Sequence, residues 1–315
     1  MADQPPRVQV LLATWNGAAH LGEQLASLAA QQGVEWSLLW RDDGSTDATI
    51  AILEQFAAAN PGRVQRLADP AGRMGAGASF MALLAAAEPG GLHAFMDQDD
   101  VWLPAKLARA AAQIGAAPMA VCTRLSLVDP ELRPLGLSPL PGREPGFATL
   151  LAHNIAAGCT LVMNEPARRL ALAAPMPEGD LHDWWSVLLI TGCGGRLIFD
   201  PEPSVLYRQH ATNVVGGASR FRQRAARAFG RGATGFLLPL ARHMRALDLA
   251  PLTPGARRVL AELEGLRDPR PWRRLGAMRR AGLAHHARAA QWLLRAWVLA
   301  QALPSDDGQG TGPGL

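Results

Sequence analysis

The apolar positions in the first hundred residues come in short runs, each closed by a polar turn. Residues 7–13 (RVQVLLA) form a β-rich run between Pro5-Pro6 and Asn16-Gly17, which predicts a buried strand. Leu21, Leu25 and Leu28 follow at helical spacing and predict a helix over 19–31. Residues 36–40 (WSLLW) predict a second strand, which ends in the polar run Arg41-Asp42-Asp43-Gly44-Ser45-Thr46-Asp47. A helix is expected over 48–60, capped by Ser45, Thr46 or Asp47. A third strand is expected at 64–67, a flexible turn at 72–77, a helix near 78–87 and a fourth strand at 92–96. This βαβαβαβ order predicts an α/β fold with a doubly wound, mainly parallel sheet. Ligands of such sheets bind at the carboxyl ends of the strands, where Thr14, Asp42 and Asp97 fall.

The second half is less regular. A helix is expected at 106–114, a strand at 120–128, a Pro- and Gly-rich loop at 130–147 and a strand at 157–164. A short helix to about 173, a helix over 181–191 and short strands at 196–199 and 205–207 complete this part, which ends at Arg208-Gln209-His210. Gly216-Gly217 marks a boundary; from Ser219 the chain is helical in pattern and rich in Ala, Leu and Arg, and 304–315 read as a disordered tail.

Composition adds an asymmetry. Residues 1–217 hold 14 basic and 21 acidic residues, whereas 218–300 hold 17 arginines and 4 acids, so an acidic front precedes a basic back. About half of the 315 residues are apolar, enough for a sizeable core, yet no run is long enough to span a bilayer and no signal peptide is apparent. Cys122, Cys159 and Cys193 lie far apart and read as buried free thiols, consistent with a cytoplasmic protein.

The chemistry concentrates at the end of the fourth strand, where Asp97, Asp99 and Asp100 crowd into the sequence DQDDVWL. Such carboxylates repel one another unless something offsets the charge, most simply a bound divalent cation. On an extended chain Asp97 and Asp99 share a face with Gln98 opposite. The alternative is a solvated acidic turn, against which the apolar Val101, Trp102 and Leu103 argue. There is no GxGxxG after the first strand and no Walker motif, and the chain has a single lysine, Lys106, so a diphosphate would have to be held through a metal.

TWNG at 14–17 (with Thr14), DDGSTD at 42–47 and DQDD at 97–100 together resemble the inverting family 2 glycosyltransferases of the GT-A fold. DQDDVWLPAKL, HNIAAGCTLVMN, HDWW and LYRQHATNVVG narrow the resemblance to bacterial rhamnosyltransferase-like enzymes of surface polysaccharide synthesis. It covers roughly residues 7–217 and implies a GT-A nucleotide-sugar-binding and catalytic domain over 1–217, followed by a basic helical region at 218–303. The implied activity is transfer of a sugar, with dTDP-L-rhamnose the favoured donor, to a saccharide or lipid-linked saccharide acceptor. Alternatives are a UDP-hexose or UDP-N-acetylhexosamine transferase, or a non-catalytic sugar-nucleotide-binding protein.

The resemblance implies roles for particular residues. Asp42 meets the pyrimidine base with Thr14, Asn16 and Asp43 nearby, and Gln98 and Arg208 complete the donor site together with Asp97. Asp97, Asp99 and His210 hold Mg²⁺ or Mn²⁺, with the choice between Asp99 and Asp100 left open. Asp183 stands at the position of the catalytic base, and Gly158 and Trp184 line the acceptor side. On the residues alone, Asp42 and Asp43 read equally as helix caps, Asp183 as support for a helix opened by Asp180, His182 as a surface residue, and residues 158–160 as core strand. The usual NxGxxxNF pattern is altered, with Arg73 and Ser79 in the two Asn positions; Arg73 is then free to meet a phosphate or an acidic sugar. The absence of QxxRW and of membrane spans points to single transfers rather than polymerisation. The arginine-rich helices of the back half suit an anionic membrane surface, or pack as a solvated appendage; no nucleic-acid motif accompanies them.

Overall fold

The computed structural model describes residues 4–68, 72–209 and 234–304. The expectations placed on His210, on the 216–217 boundary, on arginines 220–231 and on the tail beyond 304 lie outside the described residues.

Four parallel strands open the chain: β1 (Arg7–Thr14), β2 (Glu35–Asp42), β3 (Val64–Arg66) and β4 (Leu92–Met96), separated by α1 (Ala18–Ala29), α2 (Thr49–Ala59) and α3 (Ala76–Ala86). The register sets Thr14 beside Asp42 across β1 and β2, and Leu12 beside Met96 across β1 and β4. The three motif loops therefore leave the sheet from adjacent strands at one level. The cap expected for α2 takes a different form: Ala48 stands at the N-cap without a side-chain bond, and Asp47 accepts from the N–H and Oγ1 of Thr49 instead.

Beyond β4 the parallel pattern ends. β5 (Val101–Trp102), α4 (Lys106–Gln113), β6 (Met119–Val128), β7 (Pro134–Leu137), α5 (Phe147–Ala152), β8 (Val162–Asn164), α6 (Glu165–Ala171), α7 (His182–Gly192) and β9 (Arg196–Arg208) follow. The sheet order is β3-β2-β1-β4-β8-β6-β9-β5, with β7 paired to β6. β8 runs antiparallel to both β4 and β6, while β6 and β9 are parallel. Three sequence expectations change here. The strand expected at 157–164 is a 3-10 turn at Gly158–Thr160 and then β8, because Thr160 N–H and Leu161 N–H close onto the Ala157 and Gly158 carbonyls. The loop over 130–147 contains β7, and the two short strands near 196–207 are one strand, β9, which runs through Pro201 and Pro203 and shifts its register against β6 between Asp200 and Val205. Apolar runs report burial, and neither strand direction nor continuation through prolines can be read from them.

The sheet has a core on each face. Val10, Leu12, Trp40 and Met96 pack against Leu21, Leu25 and Leu53 of α1 and α2 on one side. On the other, Phe80, Phe95, Trp185 and Leu188 share a cluster with α8 (Thr234–Leu247), α9 (Pro254–Glu264), α10 (Pro271–Arg280) and α11 (Arg288–Ala300). Leu237, Leu240, Met244, Leu263 and Met278 are buried in it, and α8 and α9 meet α5, so these C-terminal helices extend the core on that side. No helix among the described residues is long and apolar enough to cross a membrane.

Candidate active site

The ends of β1 and β2 are laced together by side chains. Asp42 accepts from Thr14 Oγ1 at 3.0 Å, from Ser45 Oγ at 2.5 Å, and from the backbone N–H groups of Gly44 and Ser45. Asn16, in the left-handed region at φ 48°, accepts Thr46 N–H on Oδ1 and donates its own N–H to Ser45 Oγ. Gln98 crosses from the end of β4 and pairs with the backbone of Trp15: Oε1 accepts Trp15 N–H at 2.9 Å and Nε2 donates to its carbonyl at 3.0 Å. A Cβ on Gly17 would lie 2.3 Å from Gln98 Oε1, so a larger residue there would displace the Gln98 amide from the Trp15 backbone. Thr14, Asn16, Asp42 and Gln98 are thus brought together, at one rim.

Asp43 points elsewhere. It is buried, pairs with buried Arg41 at 2.7 Å, and accepts the N–H groups of Met74 and Gly75. Burial raises its carboxyl, but these bonds outweigh it and hold it below the ordinary range. Arg41 also donates to Ser79 Oγ and to Gly72 O, so the two positions that depart from the family pattern have distinct uses. Ser79 anchors Arg41, and the Arg73 guanidinium lies 4.1 Å from the Trp15 ring at the rim.

At the end of β4, one ligand atom each from Asp97, Asp100 and Cys159 lie within 4.8 Å of one another. Burial and then the charges of Asp99 and Asp183 push Asp97 up to about 7; burial and the Asp97 charge raise Asp100 as well. Asp100 is fully buried, and its Oδ2 has no hydrogen-bond partner. Burial raises the Cys159 thiol as well, so all three groups resist ionisation unless positive charge is brought to them. Crowded oxygen donors with an unsatisfied oxygen fit a divalent cation, whose charge would relieve their repulsion. This close-set group contains Asp97 and Asp100 but not Asp99. Arg208, buried at the end of β9, sets the loop: its N–H donates to Asp100 Oδ1, Nε donates to the Asp99 carbonyl, and Nη2 meets the Glu23 carboxylate.

Asp183 opens α7 on the other side of the claw. Its oxygens accept from Asn154 Nδ2 at 3.1 Å, Gly158 N–H at 2.9 Å and Trp184 N–H at 2.6 Å. Burial nevertheless dominates and lifts its carboxyl to about 6. Gly158 is again a close approach, because a Cβ there would stand 2.7 Å from His182 Nε2. His182 is not on the surface: it is buried, stacked 4.0 Å from Phe80 and edge-on to Phe95, and burial pushes it down to about 3. It is the first residue of α7 and packs against the turn at Gly158, which is invisible to helical periodicity. Trp184 donates its indole N–H to the Leu150 carbonyl, and its ring edge meets His243, which pairs with buried Asp180. Asn154, four residues before Gly158 in HNIAAGCT, carries no local sequence sign that it meets Asp183.

Residues 9–160 match the family model described as Glycosyl transferase family 2. The dTDP-rhamnosyl transferase RfbG of Shigella flexneri is 28% identical over 226 residues, covering 69% of this chain and 77% of that protein. An uncharacterized glycosyltransferase of Nostoc is 33% identical over 103 residues, 33% of this chain and 31% of that protein. Among solved structures, S. aureus TarS 1-349 in complex with UDP-GlcNAc superposes with a TM-score of 0.56 at 15% identity, covering 96% of this chain and 95% of that one. Its complex with UDP gives 0.54 at 18% identity over the same shares.

Proposed function

We propose that this chain, which carries a family 2 glycosyltransferase domain over residues 9–160 on a GT-A fold, transfers a 6-deoxyhexose from dTDP-L-rhamnose to a saccharide acceptor with inversion. The donor assignment is supported by the similarity to RfbG across 69% of the chain. The mechanism is supported by one observation above all. Asp183 is buried with its carboxyl raised to about 6, and its charge acts on Asp97 across the site.

In this reading the Asp42 rim, with Thr14 and Asn16, accepts the imide N–H of the thymine. Asp97, with Asp99 or Asp100 and with His210, is the ligand set for Mg²⁺ or Mn²⁺. Such a cation supplies positive charge against the departing nucleoside diphosphate. Asp183 takes the proton of the acceptor hydroxyl as that oxygen forms its bond to the anomeric carbon. The bond from that carbon to the diphosphate oxygen breaks on the opposite face, so the single displacement inverts the configuration. The backbone N–H groups of Gly158 and Trp184 keep the Asp183 carboxylate aimed, and Arg73 on the Trp15 ring is placed to meet the donor's phosphates. Gly158 and Trp184 border the acceptor. The acceptor is lipid-linked in this reading, and the exposed Trp272 and Trp292, set among arginines of α10 and α11, touch the anionic membrane that carries it.

The test is nucleoside diphosphate release from a donor panel with Mn²⁺ and with Mg²⁺. Release of dTDP from dTDP-rhamnose, well above UDP from UDP-GlcNAc or UDP-glucose and abolished by EDTA, is the expected result. Faster UDP release moves the donor to a UDP-hexose, and no release with any donor returns the chain to a binding role.

A further inference from the structure

The helix that carries Asp183 begins without a cap of its own. Leu181 stands at the N-cap of α7 and offers no side-chain bond, so the first turn is open to fraying where Asp183 lies. What holds that turn comes from the C-terminal helices. Asp180, three residues before Asp183, is buried, and its Oδ1 accepts the Leu181 N–H. Its Oδ2 meets Nε2 of His243, which is fully buried on α8. The neighbouring Arg242 reaches the same carboxylate only at 4.0 Å. The His243 ring also meets both tryptophans of HDWW, edge-on to Trp184 at 4.7 Å between centroids and tilted against Trp185 at 6.2 Å. Trp184 in turn gives its backbone N–H to Asp183, and Trp185 gives its own to the Leu181 carbonyl. Packing alone asks only for apolar side chains on this helix, such as its buried Leu237, Leu240, Met244 and Leu247. A fully buried imidazole costs desolvation, and the bond to Asp180 is what offsets it here.

We propose that His243 is a positioning residue for Asp183: bonded to Asp180 and packed on Trp184 and Trp185, it pins the uncapped first turn of α7. The C-terminal helices then complete the base pocket instead of hanging from the domain as an appendage. The pin has a firm seat on its far side, because α3 closes on the same loop; a Cβ on Gly77 would lie 2.6 Å from the Asp180 carbonyl. The indoles are fixed as well, Trp184 Nε1 donating to the Leu150 carbonyl and Trp185 Nε1 to that of Ala174. If the His243 bond is lost, Asp180 is left as a buried carboxylate short of a donor, and the turn it shares with Asp183 must open to hydrate it. The inference rests on the reading of Asp183 as the base, and its first measurement is made without metal or donor so that the two can fail separately.

The experiment compares His243→Gln with His243→Asn. Both carry an amide, but Gln brings its Nε2 to the reach of the imidazole Nε2, and Asn stops one methylene short. Amide hydrogen exchange of the metal-free protein should speed up about tenfold at Trp184 and Trp185 in His243→Asn and return toward the parent rate in His243→Gln. Release of dTDP at saturating donor, measured well below each variant's Tm, should fall about tenfold in His243→Asn with the Kd for dTDP-rhamnose within about a factor of two. His243→Gln should regain most of that rate. Met278→Ala is the control, because Met278 is buried in the same cluster on α10, which packs chiefly on α11. It should lower Tm and leave both readouts alone. If Asn and Gln behave alike, the bond does not set the turn and the proposal fails. If Met278→Ala slows release as much as His243→Asn, the effect is one of stability and the positioning role falls. Should His243→Asn not fold, Asp180→Ser puts the question from the other partner, since its hydroxyl still takes the Leu181 N–H but stops short of His243. Exchange there that matches the parent overturns the proposal, and faster exchange at Trp184 and Trp185 supports it. If the parent releases no dTDP while exchange still separates Asn from Gln, the base reading falls and the pin stands.

Discussion

Asp42 and Asp183 are both carboxylates at the edge of one sheet, and the chain treats them in opposite ways. Asp42 lies at a half-open rim, holding the loop that carries it with bonds from Thr14, Gly44 and Ser45. Asp183 is sunk beneath the 3-10 turn at Gly158–Thr160 and held by N–H groups from two segments and by Asn154. The first arrangement suits recognition, where a carboxylate must offer an acceptor at a fixed place. The second suits proton transfer, because desolvation lifts the carboxyl toward the working pH while donated bonds keep it aimed. On the proposed reading the two regions divide binding from chemistry, and variants should divide the same way.

The sharpest separation is expected in Asp183→Asn. The amide keeps the shape and loses the base, so turnover should fall by about 10³-fold while the Kd for dTDP-rhamnose stays within a factor of two. Asp42→Asn is its counterpart: donor affinity should drop by roughly tenfold with much of the turnover retained at saturating donor. Calorimetric titration beside steady-state kinetics reads both, and a large loss of donor affinity in Asp183→Asn would break the division.

Gly158→Ala probes the same pocket without touching a charge. The added methyl would meet His182 Nε2 at 2.7 Å, and His182 is wedged between Phe80 and Phe95 with no room to yield. The turn must then move and carry its N–H off Asp183 Oδ2. A shift of about 1 Å in a catalytic group can cost on the order of 10²-fold in rate. The expected signature is a lower kcat with an unchanged KM for the donor. An equal loss in both would place Gly158 on the donor side of the comparison.

How far this division could be read from the chain depends on how local each part is. The proposed donor side is written in contiguous motifs: TWNG, DDGSTD and DQDD follow β1, β2 and β4, whose parallel register brings them together. Asp183 was legible only through the resemblance, since its neighbours Asn154 and Gly158 arrive from another segment and the turn between them breaks the apolar pattern. Asp43 shows the opposite failure. It stands in the motif beside Asp42, yet alternation sends it inward to Arg41 and the Met74–Gly75 backbone. Lys106 gave no local sign of its burial, because it meets the Trp102 ring inside a fold in which α4 packs on β6 and β8.

The pH dependence offers a gentler test of the base pocket. Asp183 must be ionised to accept a proton, and its carboxyl is raised to about 6. Its active form is therefore lost as pH falls through that value. At saturating Mn²⁺, kcat should be flat above about pH 7 and should drop by close to tenfold per pH unit below about 6. The residual rate of Asp183→Asn should lack that limb. A limb of equal slope and position in the variant would assign the titration to another group, and the contrast between Asp42 and Asp183 would lose its chemical half.

The smallest effect is expected farthest from the sheet edge. Trp272 at the start of α10 and Trp292 in α11 are 68% and 69% exposed, so neither contributes to the shared core. Arg274 shows the contrast within one helix: it is buried and donates to the carbonyls of Val298 and Leu299, tying α10 to α11. Trp272→Ser should thus change unfolding stability by less than about 0.5 kcal/mol, and dTDP release in solution not at all. What it should change is sedimentation with vesicles containing anionic lipid at low salt, because an indole at the interface adds to the attraction of the neighbouring arginines. A several-fold drop in the bound fraction, with activity on a water-soluble acceptor intact, would make this face the membrane side of the enzyme. Equal sedimentation of variant and parent would leave the two tryptophans as ordinary exposed residues, and the acceptor would have to reach Asp183 from solution.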